Sequence, residues 1–226
     1  MKTIILTIIF LSANLFAQNF TVEKVSGKVF VQKGTNESWT EVKSGESLTG
    51  NDLVVTDSKS YVQLNKDGNR FLIGSNSALG LSHIKKVSTN DLLLALAMEE
   101  IRNVPKIKNE GKAKSTAVYG ADESAKVPLV VSESKLGIKK INGAKLLAEN
   151  GYKKSAVIVA KETYRKYPDT QKRIKDRIYF ANILSNLGLY EEAAAEYANI
   201  ENEPLNPGEK AELEKRIKEV NTKLAK

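Results

Sequence analysis

The sequence predicts a multidomain β-then-α chain: a small all-β unit with a covering helix, followed by a helical-repeat unit, behind a cleavable export leader. Three observations predict it. Apolar residues recur with period two from Val25 to Leu81, which is the mark of strands with one buried face. From about residue 138 the period lengthens to that of amphipathic helices. Within that half a Gly-Tyr turn signature returns after 188 − 151 = 37 residues, a spacing typical of stacked helix pairs.

Met1-Lys2-Thr3 precedes a short apolar run, Ile4 to Leu11, and then Ala13, Asn14 and Leu15-Phe16-Ala17-Gln18. That is the charged, apolar, small-residue order of a secretory signal. The run falls short of the roughly 18–20 residues that span a bilayer, which argues against the competing reading of a retained anchor. Cleavage after Ala17 would leave 226 − 17 = 209 residues, without another stretch apolar enough to span, so residues 1–17 are read as leader and the chain as exported to the periplasm or extracellular envelope. The absence of cysteine excludes disulfides, thiolate chemistry and lipid anchoring through an N-terminal cysteine.

The net charge of +8 is unevenly placed. From Gln18 to Val104 ten Lys/Arg meet ten Asp/Glu; from Pro105 to Lys226 twenty-four meet seventeen, leaving +7, and Lys2 supplies the last unit. Export argues against nucleic acid as the reason for this excess. A Lys-rich solvated surface is the simplest account, and an acidic protein face or anionic envelope polysaccharide is the partner chemistry it would suit.

In the β part, Val25, Gly27, Val29 and Val31 alternate with Ser26, Lys28, Phe30 and Gln32, and the pattern returns in Leu53–Thr56, Val62/Leu64, Phe71/Ile73 and Leu79/Leu81. Turn formers separate the runs, and Asp67-Gly68 is a strong hairpin signal because glycine tolerates the positive φ of tight hairpin turns. Short strands at this spacing predict a sandwich, roll or short solenoid over residues 18–104. Trp39 is expected in the core, with a sugar-stacking platform as the competing role.

The order Val25-x-Gly27-x-Val29-x-Val31, Trp39, Val42, Gly45, Leu48, Asp52-x-Val54-x-Thr56, Ser60-x-Val62-x-Leu64, Asp67-Gly68, Phe71-x-Ile73 and Ser77-x-Leu79 resembles the FecR domain over about residues 22–86, with Asn51 standing where that family usually has a second glycine. The resemblance implies an extracytoplasmic interaction domain. Direct sigma-factor control, as in the family's namesakes, would need a membrane helix and cytoplasmic segment ahead of the domain, and the leader leaves room for neither.

Ser88-Thr89-Asn90-Asp91 supplies N-caps for a helix ending at Pro105. Leu93, Leu94, Ala97, Met98, Ile101 and Val104 form one broad face, expected to cover the sheet. Leu92 and Leu96 lie on another side and need a cover from the C-terminal half or from a partner chain. Residues 105–137 read as linker, in which 115–120 and 127–131 would each add a strand.

Residues 138–226 resemble tetratricopeptide repeats. The second copy carries Phe180, Ala181 and Leu184, then Gly188, Tyr190, Ala193 and Tyr197; the first carries Gly151-Tyr152 and a small residue, Ser155 or Ala156. Leu213, Ile217, Val220 and Leu224 form a narrow stripe that suits a capping helix better than a two-heptad homodimeric coiled coil. In such arrays the first helix of a pair lines a concave groove. The resemblance therefore makes Lys175, Tyr179, Asn182 and Asn186 a candidate partner-binding face, opposite a core side of Ile174, Phe180, Ala181, Leu184 and Leu187.

Catalytic signatures are sparse. With one histidine, His83, expected on the surface, triads and metal pairs lack parts. Ser82-x-x-Lys85 and Ser132-x-x-Lys135 have the spacing of serine acyl-transfer motifs without the companion Ser-Asp-Asn or Lys-Thr-Gly. The expectation is thus a protein without catalytic, metal or cofactor residues. It would act as an envelope interaction or scaffolding protein and possible accessory of extracytoplasmic signalling, with cell-wall or anionic polysaccharide binding as the alternative. Its oligomeric state stays open.

Overall fold

The computed structural model describes residues 19–103 and 133–225. The leader with its cleavage site, and the strands expected at 115–120 and 127–131, lie outside the described residues.

Among the described residues, eight strands form two antiparallel sheets: β1 (Asn19–Ser26), β2 (Val29–Gln32), β3 (Trp39–Glu41), β4 (Ser47–Thr49), β5 (Leu53–Thr56), β6 (Tyr61–Lys66), β7 (Asn69–Ile73) and β8 (Ala78–Gly80). One sheet has the order β4-β1-β6-β7 and the other β3-β2-β5-β8. Period-two alternation turns Phe20, Val22, Leu48, Val62, Leu64, Phe71 and Ile73 of the first sheet, and Val29, Val31, Val54 and Leu79 of the second, into one shared core. At the β6–β7 turn Asp67 (φ 52°) and Gly68 (φ 81°) both take the left-handed conformation that a tight hairpin needs.

Polar residues of the motif brace these turns. The buried Asp52 carboxylate accepts from the Gly34 and Thr49 amides at 3.0 and 2.8 Å and from the Thr49 hydroxyl at 3.1 Å. Ser60 Oγ accepts from the Lys28 amide at 2.9 Å, directly beside Gly27, where φ is +71° and a side chain would overlap Ser60. Thr56 Oγ1 donates to Gly74 O at 2.6 Å and accepts from the Ser77 amide at 3.0 Å.

Trp39 departs from expectation. It is half-buried on the outer face of the second sheet with Phe30 and Leu53, around buried Val55 and Ala78. The reason is register: Trp39 pairs with Gln32 on edge strand β3, which puts its ring on the face opposite Val31 and Val54.

Among the described residues six helices follow: α1 (Thr89–Asn103), α2 (Glu133–Glu149), α3 (Lys153–Lys166), α4 (Ile174–Asn186), α5 (Tyr190–Glu201) and α6 (Pro207–Leu224). The helix that covers the β region is α2, not α1. It lies along β8 and touches β7, whereas α1 packs on α3. Glycine makes the approach possible, because a Cβ at Gly143 would collide with the carbonyl oxygen of Ala78. Donors then fasten α2: buried Lys139 Nζ donates to Thr56 O at 2.5 Å, and Asn142 Nδ2 to Asn76 O at 2.7 Å. Since α2 starts at Glu133, the last residues read as linker are helical.

The two helix pairs, α2/α3 and α4/α5, turn in the same way. Tyr152 N bonds Leu147 O at 2.8 Å and Leu189 N bonds Leu184 O at 3.0 Å, with Gly151 (φ 86°) and Gly188 (φ 79°) at the left-handed position. Buried residues repeat at the same 37-residue offset: Ile141 with Ile178, Ala144 with Ala181, Leu147 with Leu184, Ala156 with Ala193. The small position of the first copy is Ala156; the neighbouring Ser155 Oγ donates to Lys85 O at 2.7 Å and ties α3 to the loop before α1. A capping box at Asn206/Glu209 starts α6, whose Leu213 and Val220 are buried against the second pair while Leu224 is exposed. The β core and the helical core are continuous, α2 meeting β8 and α3 meeting the 3-10 turn at Leu81–His83.

Candidate functional site

Leu92 and Leu96 are unavailable to a partner. Both are buried, at 0% and 7% exposure, and α1 meets α3 through this side. The cover they require is supplied by the chain's own C-terminal half, and Glu99, one turn further, is sealed there as well. Its carboxylate accepts from Arg165 Nε of α3 at 2.5 Å and from Arg102 at 2.8 Å. The broad apolar face expected to cover the sheet instead points outward: Leu94, Met98 and Ile101 are 62%, 43% and 71% exposed. Their i, i+4, i+7 spacing makes them one continuous stripe along the helix.

The four residues of the candidate face on α4 separate into two kinds. Lys175 and Asn186 are exposed. Tyr179 is half-buried: its ring stands edge-on to Phe180 at 5.1 Å between centroids, and Lys145 of α2 lies 5.8 Å above it. Burial raises the Tyr179 phenol's proton affinity, so it remains a hydroxyl donor. Asn182 Oδ1 accepts from the buried Tyr197 hydroxyl at 2.6 Å and so braces α4 against α5. A groove ligand would thus meet Lys175, Asn186 and an edge of Tyr179, with much of the Asn182 amide already engaged.

Beside this face Asp176 is buried, paired with Lys145 and Arg173. On the other side of the array a cleft of about 280 Å3 runs between α1, α3, α4 and α5. Its cations are all committed: Arg165 to Glu99, Lys161 to Glu196, and Arg177 to Glu203 at 2.9 Å. These pairs hold helices together and leave the cleft without a free cation among the described residues.

The described residues hold no cluster of three or more His, Asp or Glu able to ligate a metal, and no helix long and apolar enough to cross a membrane. Ser82 lies within the 3-10 turn Leu81–His83 and Lys85 two residues after it, without a hydrogen bond between them, and Ser132 lies outside the described residues. His83, expected on the surface, is half-buried against Gly80 at the junction of the β and helical parts. No protein-family model, curated protein or solved structure matches the chain.

Sequence reasoning named the residues of α1 and reversed their faces. The pointer it passed over was Gly143: a glycine inside a helical pattern marks close packing, and it singles out α2 as the docking helix, while Gly137 lies against Tyr167 and Thr170 after α3.

Proposed function

We propose that the protein is an exported, non-enzymatic interaction or scaffolding protein of the cell envelope, built from a FecR-like β-domain and tetratricopeptide-like helix pairs. The observation that carries this reading is the exposed row Leu94, Met98 and Ile101. An apolar stripe of three large side chains on a helix held firmly by its opposite face is the kind of surface a partner covers. The 37-residue recurrence of buried positions supports the tetratricopeptide-like part. The turn braces at Gly27, Asp52, Thr56 and Ser60 support the FecR-like part, because they give the residues of that resemblance structural work.

The deciding experiment is a pull-down from envelope extract with the wild-type chain, a Leu94→Ser/Met98→Ser/Ile101→Ser variant and a Lys175→Ala/Asn186→Ala variant. A specific protein retained by the wild type and reduced tenfold or more by the α1 variant supports the reading. Undiminished capture by the α1 variant removes that surface, and loss in the α4 variant transfers the role to the groove.

A second reading is polysaccharide binding. It is favoured by the half-exposed Trp39 and Phe30 rings on the outer face of the second sheet, with Gln32 opposite Trp39 as a hydrogen-bonding neighbour. Pelleting with purified cell-wall polysaccharide, lost on Trp39→Ala, would establish it in place of the first.

A further inference from the structure

We infer that the pocket between the β region and helices α2 and α3 binds a small oxyanion, a carboxylate or phosphate group, through Lys140, His83 and Ser82. The pocket has a volume of about 140 Å3. At about 30 Å3 per liquid water this is room for roughly four or five waters, enough for one such group. Its walls come from the turn between β4 and β5, the 3-10 turn after β8, α2 and α3.

The polar groups of the walls divide cleanly. The Asp52 carboxylate is occupied by the Gly34 and Thr49 amides and the Thr49 hydroxyl. Glu162 of α3 takes Lys166 at 2.5 Å, so both carboxylates have their oxygens engaged and the Glu162 charge is offset by an ammonium. The remaining three groups have no hydrogen bond to the described protein. Lys140 of α2 stands 5.8 Å above the Tyr167 ring without a carboxylate partner. His83 packs its ring on Gly80, and the Ser82 hydroxyl stands one residue before it. Neither Lys140 nor His83 has a polar atom sealed from solvent, and Ser82 is exposed. An uncommitted ammonium, an imidazole and a hydroxyl therefore open into one concavity, the arrangement that fixes an anion.

The electrostatics agree in sign. His83 has its proton affinity lowered first by burial and then by Lys140, Lys85 and Lys166, against which Glu162 works in the opposite direction. Lys140 is lowered by burial and by Lys166, again with Glu162 working in the opposite direction. In both groups burial and the neighbouring cations outweigh Glu162, so an entering anion favours their charged forms and should draw a proton onto His83. Because the pocket is walled by both halves, an occupant would also fasten α2 and α3 to the β region. The inference stands independently of the scaffolding role.

His83 is the chain's only histidine, so its ring C–H resonances report the site without assignment. The full chain is titrated from pH 5 to 8 with inorganic phosphate, with acetate, and with sodium chloride at matched ionic strength. Saturable movement of the His83 resonances, with its midpoint raised by phosphate or acetate and not by chloride, is expected; whichever anion acts identifies the group. Lys140→Gln should weaken the response tenfold or more, and Lys175→Gln, on α4, should leave it intact. Ser82→Ala, a milder change, should weaken it severalfold even if Lys140→Gln disturbs the fold. Resonances that ignore both anions, respond equally to chloride, or respond unchanged in both pocket variants would overturn the assignment.

Discussion

Helices α1 and α2 invite comparison, because both are amphipathic and flank the same segment, yet they are held in opposite ways. On apolar count α1 is the better candidate to cover a sheet. It packs instead on α3 by a narrow stripe, Leu92, Leu96 and the charge-paired Glu99, and leaves its greasier side in solvent. The more polar α2 lies on β8, where Gly143 admits the strand's backbone and Lys139 and Asn142 donate to carbonyls at the end of β5 and in the turn before β8. Close backbone approach and satisfied carbonyls decided which helix docks. Hydrophobic quantity did not.

The strongest way to break this contrast is Gly143→Ala. Its added methyl would meet the Ala78 carbonyl, which sits on backbone and cannot swing aside. Overpacking of this kind costs about 1–3 kcal/mol and upward, and the upper end is expected here. Thermal melts of this variant beside Gly74→Ala, whose Cβ would meet only Leu146 at 4.0 Å, should show a large drop for the first and almost none for the second.

On α1, Leu92→Ala should cost ~2–4 kcal/mol, since it opens a cavity at a fully buried position. Leu94→Ser should shift urea unfolding by no more than ~0.5 kcal/mol. Equal costs at the two positions would mean that the helix is rotated from the orientation described.

A smaller effect separates the residues of the α4 face. Asn182→Ala strands the buried Tyr197 hydroxyl and should cost ~1–3 kcal/mol, whereas Lys175→Ala and Asn186→Ala should each stay within ~0.5 kcal/mol by denaturant titration. An Ala triple at these positions is therefore no neutral probe of binding, and the Lys175/Asn186 double is the cleaner one.

The smallest effect concerns pH at the junction. The folded His83 holds its proton less tightly than the ordinary value of 6.5, burial being the first cause. As pH falls below that value the unfolded chain takes up a proton that the folded chain declines. Stability contributed at neutral pH is thus lost downward from 6.5 and levels off below the folded midpoint. His83→Gln, compared with the wild type in urea titrations between pH 5 and 7.5, should remove that part of the slope. Identical slopes would show that the imidazole is as solvated folded as unfolded.

The sequence alone determined the local grammar of this protein. Alternation in Val62–Leu64 named a strand, Asp67-Gly68 named a hairpin, and the 37-residue return of Gly151 at Gly188 named two helix pairs, whereas the single strand expected over Val25–Val31 is broken at Gly27 (φ 71°) into β1 and β2 of different sheets. These signals are legible because they depend on φ preferences and on residues a few positions apart. Tertiary structure alone decided which faces met. Trp39 went to the outer face through pairing register with Gln32, Leu92 and Leu96 were covered by α3, and Asn182 was claimed by Tyr197. It also brought His83 from β8's end against Lys140 and Glu162, residues 57 and 79 positions further along the chain. Periodicity reports that a face is apolar, and says nothing of which distant surface can approach closely enough to cover it.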